Sequence, residues 1–119
     1  MKRRREDVVV VRVARGEETW AIEAAAGVLR GRWKLAILWS LGVGPRRFTA
    51  LAAALPGVTL KVLTEQLREL ARVGVVTRRS EGSGPKHVEY DLSASGRQLL
   101  PALDALDAWG RDLAERSPR

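Results

Sequence analysis

Residues 59–80 combine an amphipathic helix pattern, a glycine stop and a β-branched run, and this order restricts the fold more than any other feature. Thr59 is predicted to cap the helix, and Gly74 to end it. At about 100° per residue, one face gathers the apolar side chains Leu60, Leu63, Leu67, Leu70 and Ala71. The other face carries Lys61, Glu65, Arg68 and Arg72, with Thr64 on its flank. Most such charged faces are simply solvated, so the helix alone does not decide a function.

A β-hairpin is predicted directly after this helix. Residues 75–80 (VVTRRS) favour a strand, residues 81–86 (EGSGPK) a glycine-rich turn, and residues 87–92 (HVEYDL) alternate apolar with polar side chains. The apolar side chains that point to one side are Val88, Tyr90 and Leu92. The basic side chains beside the hairpin tip, where they would reach phosphates, are Arg78, Arg79 and Lys86.

Three further helices are predicted upstream, over residues 19–29, 32–41 and 49–57. The second is apolar nearly all round, which predicts that it lies at the centre of the core and that Trp33 and Trp39 are buried there. The third is expected to begin at Thr49 as its N-cap. It is followed after a Pro-Gly turn by the helix at 59–73, which is a helix–turn–helix arrangement. With the hairpin added, the predicted fold is mainly α (α+β), a winged helix–turn–helix.

The charge balance indicates a polyanionic partner. Lys and Arg number 21 against 14 Asp and Glu, and the isoelectric point is about 11.0, which favours nucleic acid or an acidic membrane surface. A length of 119 residues fits one domain. The absence of cysteine excludes disulfides and thiolate metal sites. The apolar run near the start is too short for a signal peptide or a membrane span, so we expect a cytoplasmic protein.

The chain also resembles a known family. The segments GRWKLAILWSL, GPRRFTALAAALPGVTLKVLTEQLRELARVGVVTRR and HVEYDLSASGRQLLPAL are similar to the HxlR-type winged helix–turn–helix regulators, relatives of the MarR group. The resemblance spans about residues 19–113 in unbroken order. It implies a bacterial or archaeal homodimer that places the helix at 59–73 in the major groove and dimerises through its terminal helices. Many members carry a cysteine before the first helix where this chain reads TWAIEAA, so thiol sensing is not transferred.

The helix at 59–73 offers side chains suited to DNA. Thr59 and the free amides behind it form a helix start that can bind phosphate. Lys61 in the first turn can reach a phosphate or guanine acceptors. Among Thr64, Glu65 and Arg68, Arg suits guanine, Glu the cytosine amino group and Thr a thymine methyl. Arg72, farther along, is expected to contact a phosphate or to be solvated, because the N-terminal residues of such helices usually reach the bases.

The last predicted helix carries an apolar stripe at spacings of three to four residues: Leu99, Leu103, Leu106, Trp109 and Leu113. A small domain cannot cover all of this stripe from one side, which predicts a partner helix in a homodimer. Trp20 and Trp109 are each expected either in the core or at the dimer contact. Pro101 lies inside the pattern and is expected to cost about 3 kcal/mol or to force a kink.

Two segments are distinguished: an N-terminal arm, residues 1–18, and the winged helix domain with its dimerisation helix, residues 19–119. The arm has a basic tip followed by a valine run. One interpretation is an ordered strand over residues 8–13, because a valine run is poorly suited to a solvated tail. The other is a mobile arm whose basic tip enters a minor groove.

The favoured function is a homodimeric, sequence-specific DNA-binding regulator acting on an inverted-repeat operator. Two alternatives stay open: a non-specific, nucleoid-type DNA binder, and a winged helix that binds protein, since a fold does not fix a function. No nucleophile–base pair or carboxylate pair indicates an enzyme, and no cofactor is expected. His87 is the only histidine and lacks partner ligands nearby in sequence. A small-molecule effector is compatible with the sequence but not identified by it.

Overall fold

The computed structural model describes residues 20–82 and 87–116, and of Trp20 the backbone alone. The predicted arm (residues 1–18) and Lys86 lie outside this part of the chain. The described helices are α1 Trp20–Val28, α2 Lys34–Leu41, α3 Phe48–Ala54, α4 Leu60–Val73, α5 Ala94–Gln98 and α6 Leu100–Arg116. The strands are β1 Arg46–Arg47, β2 Val76–Ser80 and β3 Val88–Leu92. They form one antiparallel sheet in the order β1-β3-β2. The predicted winged helix–turn–helix is confirmed.

Helix α2 lies at the centre of the core, as its apolar sequence predicts. Ile37, Leu38 and Leu41 are fully buried, and Trp33 packs against the same cluster. Trp39, however, is 44% exposed, so its predicted burial is wrong. A helix that is apolar on all sides gives no periodic signal of which face meets solvent, and the sequence pattern therefore overestimated its burial.

Helix α3 begins two residues earlier than expected, at Phe48 rather than after a Thr49 cap. Its N-cap is Arg47, whose side chain makes no capping hydrogen bond. The reason is the strand before it: Arg46 pairs with Tyr90, and Arg47 pairs with Glu89 across the sheet. This pairing holds Arg47 in an extended conformation, and the chain passes directly from β1 into the helix.

The end of α4, the wing and α5 are joined closely around Ser93. Its hydroxyl donates a 2.6 Å hydrogen bond to the Gly74 carbonyl, and its oxygen accepts one of 3.0 Å from the Gly96 amide. A β-carbon on Gly96 would lie 2.1 Å from the Val75 carbonyl oxygen, so only glycine fits. These contacts fix where the wing leaves α4.

Pro101 has a physical explanation that the sequence pattern missed. The predicted last helix is two helices, α5 and α6, which are separated at Leu99. Pro101 is therefore in the first turn of α6, where a backbone N–H has no partner within the helix. The expected cost of about 3 kcal/mol for a proline inside a helix does not apply, and the prediction of a proline inside a continuous helix is wrong.

Candidate nucleic-acid interface

The start of α4 is capped as predicted. The Thr59 hydroxyl oxygen accepts a 3.1 Å hydrogen bond from the Val62 amide, and the Thr59 carbonyl accepts one of 2.9 Å from Leu63. At the other end, Gly74 has a left-handed backbone conformation with φ of 96°. Residues with a side chain disfavour this conformation, and glycine does not. Both ends of the helix are thus defined by local sequence, and Thr59, Leu60 and Lys61 at its start are exposed.

The two faces of α4 separate as the sequence predicts, with two exceptions. Leu63, Leu67 and Leu70 are buried in the core. The polar side chains on the exposed surface are Lys61, Thr64, Glu65, Arg68 and Arg72. The exceptions are Leu60, which is 63% exposed, and Ala71, which is also exposed, although the angular pattern placed both with the core residues. Leu60 lies in the first turn of α4, and Ala71 lies in the last.

An ion pair connects α4 to the start of α2. The Lys34 Nζ lies 2.6 Å from a Glu69 carboxylate oxygen, and the Lys34 side chain is only 12% exposed. The hydrogen bond and the charge of Lys34 lower the pKa of Glu69 below its ordinary value of 4.5. Sequence reasoning missed this pair, because the two residues are 35 positions apart and no local pattern connects them.

The two arginines of the wing have different surroundings. Arg78 is paired with Tyr90 across the hairpin, and Arg79 with Glu89. Because successive strand residues point to opposite faces, Arg78 and Arg79 do not share a face. Arg79 donates a hydrogen bond to Glu89, and its Nε lies 3.4 Å from Glu81. The positive charge of Arg79 is therefore partly balanced inside the wing.

The apolar stripe near the C-terminus divides into an internal and an external part. Leu103 is 4% exposed and belongs to the core, and Leu99 packs against that core. Leu103 is thus covered within its own protomer and has no free surface for the expected dimer contact. The outer part is Leu106, Trp109 and Leu113, with exposed fractions of 48%, 60% and 41%. We call these three residues the α6 apolar face. The side chain of Trp20 lies outside the described atoms.

Nowhere in residues 20–82 and 87–116 do three or more metal-binding side chains come together. None of the helices in these two ranges is long and apolar enough to cross a membrane.

Comparisons with known proteins agree with this geometry. The family model of the HxlR-like helix-turn-helix matches residues 28–118. The HTH-type transcriptional regulator YtcD of Bacillus subtilis strain 168 is 43% identical over 96 residues, which is 81% of this chain and 76% of YtcD. A crystal structure of YtcD superposes with a TM-score of 0.72 at 42% identity, covering 79% of this chain and 96% of that one.

Two further solved structures show the same fold. A MarR-family transcriptional regulator from Enterococcus faecalis V583 has a TM-score of 0.74 at 35% identity and covers 88% of this chain and 96% of its own. The redox regulator HypR in its reduced form has a TM-score of 0.74 at 34% identity, and the match covers 81% of this chain and 98% of HypR. This chain has no cysteine, so a thiol switch is not part of the resemblance.

The family and these relatives are regulators of transcription, not enzymes. The capped helix with a charged outer face, the wing that follows it and the match over residues 28–118 lead to one conclusion: the chain belongs to the HxlR family of helix-turn-helix transcriptional regulators.

Proposed function

We propose that this protein regulates transcription as a homodimer that binds an inverted-repeat operator, with α4 of each protomer in the major groove. The observation that carries the proposal is the division of α4: Leu63, Leu67 and Leu70 are buried in the core, whereas the charged face is exposed from the first turn. A major groove about 12 Å wide admits one α-helix. The formal charge of +7 adds a sequence-independent attraction to DNA.

The contacts are proposed by position on α4. Lys61, Thr64, Glu65 and Arg68 fall within the first three turns, so they are the candidates for base edges. Thr59 uses its oxygen to cap the helix, which leaves its hydroxyl hydrogen available to a phosphate. Arg72, in the last turn, is assigned to the DNA backbone.

The wing is proposed to contact phosphates beside the groove through Arg78, Arg79 and Lys86. Arg78 is the stronger candidate of the described pair, because Arg79 is already bonded to Glu89. An arginine that must exchange a carboxylate for a phosphate gains less than Arg78, which pairs with no carboxylate among residues 20–82 and 87–116.

The homodimer is proposed from the α6 apolar face. Three large side chains at spacings of three and four residues stand exposed on one side of a 17-residue helix. A second copy in two-fold symmetry would cover the same face on both protomers. The expected half-sites are about one helical turn apart, or a multiple of that distance.

Selection of bound fragments from a random duplex library tests the proposal. We expect an inverted repeat, and a Kd for it at least about 10³-fold below that for random duplex at the same salt concentration. A ratio near one would instead identify a non-specific, nucleoid-type binder. No salt-dependent binding to any duplex would favour a winged helix that binds protein.

A further inference from the structure

The proposal concerns Leu60, the first residue of α4. Its side chain is 63% exposed, whereas Leu63 and Leu67, the next leucines of the helix, are 0% and 1% exposed. It is not part of the core cluster. A single exposed leucine is ordinary on a protein surface, so exposure alone carries no conclusion, and the position of Leu60 on α4 decides its meaning.

Leu60 lies beside the polar residues assigned to base edges. It immediately precedes Lys61, and residues four apart are neighbours on a helix surface, so Leu60 and Thr64 are adjacent. All three side chains are exposed. The capping bond from the Val62 amide to Thr59 fixes the first turn. The turn that would enter the groove therefore presents an apolar side chain next to polar ones.

The major groove offers one apolar group for such a side chain. Guanine, cytosine and adenine present hydrogen-bond donors and acceptors there, and thymine alone adds a C5-methyl group. A leucine placed against the other bases would remove their polar atoms from water without a hydrogen bond in return, which is unfavourable. The chemistry of Leu60 therefore selects for thymine.

We propose that Leu60 is a specificity-determining residue whose side chain contacts the C5-methyl group of a thymine in each operator half-site. This inference rests on the proposed function and names a base that α4 prefers. Burial of one methyl group is worth about 0.8 kcal/mol, which is about a fourfold change in Kd per half-site.

Thr64 is the rival for the same role, because it also carries a methyl group and lies one turn from Leu60 on the same side of α4. The matched control is therefore Thr64→Ser, which removes that methyl and keeps the hydroxyl. The test variant is Leu60→Ala, which keeps a good helix former at an exposed position, so the fold is expected to be unchanged.

The experiment uses the full chain and the selected operator, with each thymine in turn replaced by deoxyuridine, which lacks only the methyl group. For the parent, we expect deoxyuridine to weaken binding about fourfold at one position of each half-site. Leu60→Ala should bind thymine and deoxyuridine equally at that position, with the affinity that the parent has for an operator carrying deoxyuridine there in both half-sites. Thr64→Ser should keep the preference for thymine.

Three results would overturn the inference: a parent indifferent to every deoxyuridine, a thymine preference that survives in Leu60→Ala, or a preference that is lost in Thr64→Ser instead. Each of these leaves the proposed function intact if the parent still prefers its operator to random duplex. A parent without that preference removes both the proposed function and the role of Leu60.

Discussion

The Lys34 ammonium lies 2.6 Å from the Glu69 carboxylate and so joins the start of α2 to the middle of α4. The α2 helix contributes three fully buried side chains to the core, and α4 carries the candidate DNA-binding face. The ion pair therefore ties the position of that face to the most deeply packed helix of the domain. The Lys34 side chain is largely covered, whereas the Glu69 side chain is half exposed. Protons in solution can therefore reach the Glu69 carboxylate.

The first prediction follows from the lowered pKa of Glu69. A carboxyl group whose pKa is lower in the folded chain stabilises the fold above its unfolded pKa and loses that contribution as the pH falls through the folded value. Glu69→Gln should therefore lower the free energy of unfolding at pH 7, and its difference from the parent should shrink below about pH 4.5. Urea unfolding at several pH values measures this, with Glu65→Gln as the control. A difference that is constant with pH would contradict the assignment.

The second prediction compares the two wing arginines. Arg78→Ala should weaken operator binding and reduce the slope of log Kd against log salt by about one unit. Arg79→Ala should reduce that slope by less, because Glu89 and Glu81 already balance part of its charge. Titrations at four or more salt concentrations give both slopes. A larger reduction for Arg79→Ala would show that the intramolecular pairs open on binding.

The third prediction concerns the close approach at Gly96. Gly96→Ala brings a β-carbon to 2.1 Å from a backbone oxygen, so the α5 start must move away from the end of α4. We expect a loss of about 1–3 kcal/mol in the free energy of unfolding. In the control Gly27→Ala the β-carbon would meet only an arginine side chain at 4.0 Å. Equal stability of Gly96→Ala and the parent would disprove the tight contact.

The fourth prediction separates the two halves of the C-terminal stripe. Leu106→Asp should give a folded monomer with weak operator binding, because it places a charge on the proposed dimer face. Leu103→Asp should instead prevent folding, because Leu103 is in the core. Sedimentation and circular dichroism distinguish these outcomes. A parent protein that sediments as a monomer at micromolar concentration would refute the homodimer.

The sequence was sufficient to predict the elements that have strong local signals. The cap at Thr59 and the end at Gly74 each follow from one residue type at one position, and the strand from Val88 to Leu92 follows from its alternation of apolar and polar residues. It was insufficient where tertiary packing decides. Leu60 and Leu67 have similar places in the angular pattern, yet only Leu67 is packed in the core cluster. Leu103 and Leu106 fit one stripe equally well, and the packing of α6 separates them.

The wing shows a third limit. Two adjacent arginines read as one basic patch, whereas strand pairing sends them to opposite faces and gives Arg79 an acidic partner. The carboxylates concerned, Glu81 and Glu89, are present in the sequence, but only the hairpin register identifies them as partners.

The most direct test of the DNA-binding role of α4 is the Kd of the parent, Lys61→Ala and Arg68→Ala for the selected operator and for a scrambled duplex. We expect each lost base contact to cost about 1–3 kcal/mol on the operator, with a much smaller change on the scrambled duplex. Operator affinities of both variants equal to that of the parent would contradict the placement of α4 in the major groove.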